Sequence, residues 1–160
     1  LRVLMALLLF IETGTRTCSV ALAEDNKIIA SNKIEDTQSH AKVLHELIEK
    51  CFAQANKVMS DLSAVVVGAG PGSYTGLRIG MAAAKGIAFT LDIPFIALDT
   101  LKSVALKAIE ETQEKEAIYI STLNSRKGEI YYCVLNGEGE VLEESQPAVV
   151  EDLIKNRQSR

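Results

Sequence analysis

Three things are scarce in this sequence: cysteine, positive charge, and the residues of the familiar catalytic motifs. Only Cys18, Cys51 and Cys133 occur in 160 residues. They are odd in number, widely spaced and without a Cys-x-x-Cys pair. That excludes a disulfide frame or a zinc site and reads as buried thiols of a cytosolic protein. Lysine and arginine total 17 against 21 acidic residues, a net charge of -4. No basic footprint for direct nucleic-acid binding follows, so any RNA contact is expected mainly from a partner. The two histidines, His40 and His45, sit five positions apart, about 500° around a helix at ~100° per residue. They face different ways, which argues against shared metal ligation. No Ser/His/Asp or Cys/His set can be assembled from the spacing.

Long apolar runs are also missing. Arg2 followed by Val3 to Ile11 has the length of a signal-peptide core, but Glu12 and Thr13 follow at once and no small-residue cleavage pattern appears. The run is too short to span a bilayer and reads as a buried first strand. Met5 is read as the natural start, with residues 1–4 as an upstream remnant. What is present is enough for a core. A hydrophobic share of 48% and a mean hydropathy of +0.13 fit one compact domain, or two small lobes.

The organising stretch is Gly68 to Gly80, a glycine-rich turn between the apolar run Leu62–Val67 and a small-residue helix, Thr75–Leu91. A strand, a glycine turn and a helix N-terminus capped by Ser73 or Thr75 make a ready anion site. A phosphate loop would end in Gly-Lys-Ser/Thr, yet no lysine occurs before Lys85, and a dinucleotide fingerprint fails at Ser73. A ligand-free turn is therefore an equal reading of the spacing. Gly76, Gly80, Ala84 and Ala88 recur every fourth residue and build a flat stripe for close helix approach, from within the chain or from a second protein. Each mid-helix glycine costs about 1 kcal/mol against alanine, so the stripe needs a packing reason.

Along the chain, Ala6–Ile11, Thr17–Leu22 and Lys27–Ile34 read as three antiparallel strands, the last two joined at Asp25-Asn26. Ser39–Ala55 reads as an amphipathic helix, with Val43, Leu44, Leu47, Ile48, Cys51 and Phe52 on one face and Ser39 as N-cap. A strand to Gly68, the small-residue helix, a strand at Pro94–Leu98 and a helix at Thr100–Glu111 follow. Beyond the charged run 110–116, strands are expected at Ala117–Leu123 and Glu129–Leu135. Asn136-Gly137 is a hairpin signal, Val141-Leu142 the return, and Val150–Lys155 the start of a helix. The order is β-β-β-α-β-α, then a β-rich second lobe that looks incomplete. The lobes are placed at residues 5–112 and 113–160.

That α/β order suggests the actin-like ATPase (ribonuclease H-like) fold, and Glu12-Thr13-Gly14-Thr15 resembles its first phosphate loop, usually opened by Asp. Gly70 to Gly80 is similar to the signature GPGSFTGLRIG of the bacterial TsaB (YeaZ) family, with Tyr74 for Phe. Phe10–Thr15, Cys18–Leu22, Ser39-His40 and Ser125–Tyr131 support the resemblance, and Asn124 stands where the family usually has Asp. The family's chains normally run further.

The resemblance implies a cytoplasmic, non-catalytic subunit of the machinery that forms N6-threonylcarbamoyladenosine beside the tRNA anticodon. It implies a TsaD-like catalytic partner, a TsaE-like ATPase, a homodimer when the partner is absent, and no metal or cofactor of its own. The alternative is a small ATPase or kinase of the same fold. Glu12, Thr13, Gly14, Thr15, Gly70, Gly72 and Ser73 are expected to form a degenerate anion loop. His40, Leu44, Gly76, Arg78, Gly80 and Ala84 are expected at the partner interface. Arg78, near the cation-disfavouring helix N-terminus, is expected to pair with a carboxylate, Glu129 or one on the partner.

Overall fold

The computed structural model describes residues 6–35 and 40–153, with the backbone alone for His40. Ser39 as N-cap and the end of the Val150–Lys155 segment lie outside the described residues. The chain divides into two units, one running up to Ala69 and resuming over Ser73–Leu98, the other made of Gly70–Gly72 and the residues from Asp99 onward.

The first unit is a five-stranded sheet ordered β3-β2-β1-β4-β5. β1 (Leu7–Glu12), β2 (Thr17–Glu24) and β3 (Lys27–Glu35) are antiparallel. Asp25 and Asn26, with φ of 50° and 63°, form the two-residue turn between β2 and β3; both residue types tolerate left-handed backbone. β4 (Leu62–Gly68) and β5 (Phe95–Leu98) add on parallel to β1. Leu7, Leu9 and Ile11 alternate inward from β1, while Ala64–Val67 are buried in succession, as a central parallel strand requires.

Two helices supply the rest of this core. α1 (His40–Ala55) inserts Leu44, Leu47, Ile48, Cys51 and Phe52. α2 (Tyr74–Leu91) buries Gly76, Gly80, Ala84 and Ala88. Ser73 caps α2 by accepting the Gly76 amide at 3.3 Å, and Asp92 ends it in the left-handed region.

The second unit holds α3 (Thr100–Thr112) and an antiparallel sheet of β6 (Ile118–Asn124), β7 (Glu129–Asn136) and β8 (Val141–Val149). Asp99 caps α3 through the Lys102 amide, 2.9 Å. Leu101 and Ala105 of α3 pack with Cys133 and Leu135 of β7. The division therefore falls after Leu98 rather than at residue 112, because α3 finds its apolar cover on β7.

The β7–β8 turn also differs from the two-residue Asn136-Gly137 expectation. Asn136 Oδ1 accepts the amides of both Glu138 and Glu140, and it is Gly139 that takes positive φ, 85°. A side chain that caps two amides favours the longer loop. The returning strand is nine residues long, not a short Val141-Leu142 segment.

Candidate functional site

β1 and β4 lie side by side and parallel, with Ile11 opposite Val67. Their chains leave in opposite directions, β1 toward β2 and β4 through α2 toward β5. In open α/β sheets the usual ligand position lies beyond the carboxyl ends of such a strand pair. Four of the expected anion-loop residues meet there. Gly14 O accepts the Ser73 amide at 2.6 Å. Thr13 is fully buried, and its hydroxyl donates to Gly76 O at 2.8 Å. Glu12 is half-buried, and its Oε1 accepts the Gly14 amide at 2.6 Å. Its other carboxylate oxygen lies over Gly68, where any Cβ would run into it.

The other expected loop residues behave differently. Thr15 is exposed and closes a local turn on Thr17. Gly70 and Gly72 belong to the second unit, where Gly70 O accepts the Thr100 amide at 2.8 Å.

The small-residue stripe was expected at a partner interface, and here the structure corrects it. Gly76, Gly80 and Ala84 are buried in their own unit. A Cβ at Gly76 would strike the Thr13 carbonyl oxygen, and one at Gly80 the Thr13 hydroxyl. Leu44, also expected at the interface, is 1% exposed inside the core. Its i, i+3, i+4 neighbours form the apolar face of α1, so its burial follows from amphipathicity. The side chain of His40 lies outside the described residues.

Arg78 is exposed, and among the described residues it meets Tyr74 rather than Glu129. Its guanidinium carbon lies 5.3 Å from the centre of the Tyr74 ring, and its Nη1 donates to the Tyr74 hydroxyl at 3.4 Å. One turn apart on α2, a ring face and a weak hydrogen bond compensate the unfavourable dipole.

Arg78 belongs to a second stripe that sequence reasoning missed. Tyr74, Arg78, Ala82 and Gly86 also recur every fourth residue, two positions out of phase with the buried set, and all four are exposed. Phe89 extends this outer face at 90% exposure and Tyr74 opens it at 75%. A Cβ at Gly86 would meet nothing within 4 Å, so the fold itself does not require that glycine. Lys85 leans its ammonium over the Phe95 ring, 5.7 Å from the centre. The signal was present as a repeat, but the buried stripe has the same period and only packing separates them.

Among the described residues, no group of three or more His, Cys, Asp or Glu side chains could hold a metal ion. No described helix is long and apolar enough to cross a membrane. The three cysteines are free and buried. Burial pushes the thiols of Cys18 and Cys133 above their ordinary value.

This architecture is the actin-like ATPase fold. The ROK hexokinase of Thermus thermophilus superimposes with a TM-score of 0.51 at 14% identity, covering 85% of this chain and 48% of that one. Residues 27–159 match the family model described as TsaD: tRNA N6-adenosine threonylcarbamoyltransferase. The chain belongs to this family, and within it to the TsaB/YeaZ group. The tRNA threonylcarbamoyladenosine biosynthesis protein TsaB of Haemophilus influenzae is 31% identical over 125 residues, 78% of this chain and 52% of that protein. The Escherichia coli protein of the same name is 29% identical over 126 residues, 79% and 53%. YeaZ from Pseudomonas aeruginosa has a TM-score of 0.76 at 28% identity, covering 91% of this chain and 67% of that one. The chain thus spans about half the length of these curated relatives.

Proposed function

We propose that this protein is a non-catalytic subunit of the cytoplasmic machinery that forms N6-threonylcarbamoyladenosine next to the tRNA anticodon, and that it supports a TsaD-type catalytic subunit. The names of its relatives supply the reaction. The observation that carries the partner role is the outer face of α2, where Tyr74 and Phe89 stand out from the surface on either side of Ala82 and Gly86. Exposed aromatic residues and an arginine flanking small side chains are the composition of an interface centre. A glycine with open space over it lets a second helix approach closely. A TsaE-type ATPase completes the assembly, and the same face accounts for a homodimer when the catalytic partner is missing.

The acidic balance of the chain leaves tRNA contact to the partner. The experiment is a reconstitution that follows threonylcarbamoyladenosine formation on tRNA with purified TsaD-type and TsaE-type subunits. The reaction should require this protein, and the protein alone should turn over neither ATP nor tRNA. Equal modification without it would contradict the proposal, as would robust ATP hydrolysis by the protein alone that is lost in Glu12→Gln.

A further inference from the structure

A second feature, apart from the outer face of α2, lies at the carboxyl ends of β1 and β4. A parallel pair with diverging connections and a capped helix beginning beside it is where an open α/β sheet takes an anion. In this chain the position already contains one. Glu12 is the last residue of β1. Its side chain turns back over its own loop so that Oε1 accepts the Gly14 amide at 2.6 Å, a backbone N–H bonded to a carboxylate. Its Oε2 rests on Gly68, the last residue of β4, at a place no side chain at position 68 would leave open. Gly14 is likewise closed in, since a Cβ there would meet Glu12 Oε1 at 2.9 Å and Leu77 Cδ2 at 3.0 Å.

We propose that Glu12 is a built-in anion: its carboxylate takes the loop amide and the space over Gly68 that a phosphate group would need, and so closes this position to phosphorylated ligands. The physical basis is twofold. The amide that an anion would recruit is already engaged, and a second negative charge placed beside a half-buried carboxylate is repelled. The glycine at 68 is the other half of the device, because only a residue without Cβ admits the carboxylate there. The inference concerns this unit by itself and stands independently of the partner reading.

The test follows the Gly14 amide by NMR and titrates inorganic phosphate and magnesium-ATP separately into wild type, Glu12→Ala and Glu12→Gln. In wild type the Gly14 amide should lie downfield and neither probe should saturate. In Glu12→Ala the amide should move upfield, and phosphate should bind at least about tenfold more tightly than to wild type, the effect of releasing one charge-assisted bond. Glu12→Gln keeps the shape and removes the charge, so it should give a smaller gain in the same direction. If Glu12→Ala disturbs folding, Glu12→Gln carries the test. A Gly14 amide unmoved by either substitution would overturn the proposal. Phosphate binding to wild type as tight as to the variants, or no gain in any folded variant, would overturn it equally.

Discussion

The hydroxyl of Thr13 and the bare Cα of Gly80 are fitted to one another. The buried hydroxyl occupies the volume a Cβ at position 80 would need, while it donates to Gly76 O one turn earlier. This single threonine thus dictates two glycines in α2. Gly80→Ala gains about 1 kcal/mol of helix propensity but forces overpacking worth about 1–3 kcal/mol. Because the contact is closer than real Cβ atoms make, we expect net destabilisation in thermal melts. Adding Thr13→Ala should relieve the clash, so the double variant should lose less than the two single losses combined. Gly86→Ala, with nothing over it, should instead stabilise the folded chain by up to about 1 kcal/mol. A Gly80→Ala protein as stable as wild type would show that the stripe is not packed as described.

Leu44 and His45 are neighbours in sequence with opposite environments, 1% exposed in the core against exposed on the surface. Leu44→Ala should cost about 2–5 kcal/mol, as buried leucine truncations do. His45→Ala should stay within about 0.5 kcal/mol. Urea unfolding midpoints distinguish the two, and equal midpoints would place Leu44 outside the core.

The buried thiols give a pH dependence of fixed sign. Burial raises Cys18 and Cys133 above 9.0. From about pH 9 upward the folded chain keeps protons that the unfolded chain releases. Their contribution to stability is therefore complete below that pH and declines as pH rises through the folded values. Replacing both cysteines by alanine should flatten the alkaline limb of stability against pH. The native thiols should also alkylate slowly at neutral pH and react fully only on unfolding. Rapid alkylation of the folded protein would contradict their burial.

The strands of the first unit were legible because apolar runs and the Asp25-Asn26 turn are local signals. So was α1, whose Leu44, Leu47, Ile48, Cys51 and Phe52 carry its period. The role of the Gly76–Ala88 stripe was not legible, because a spacing of four says that something approaches closely without saying what. Thr13, sixty-three positions before Gly76, is the answer, and no local pattern links them. The Tyr74–Gly86 face was hidden for another reason: it has the same period as the buried stripe, and only packing tells the two apart. The full length of β8 was obscured by Pro147 and by charged residues on a sheet edge, which break the apolar alternation.

The central claim is that the outer face of α2 receives a TsaD-type subunit, and sedimentation velocity of the mixed proteins tests it most directly. Phe89→Asp places a charge at the most exposed aromatic position of α2 without touching the buried stripe. The account predicts a stable complex with wild type, and loss of binding by about 2 kcal/mol or more with Phe89→Asp at an unchanged melting temperature. Assembly of Phe89→Asp as tight as wild type, or no assembly of wild type with the TsaD-type subunit, would contradict it.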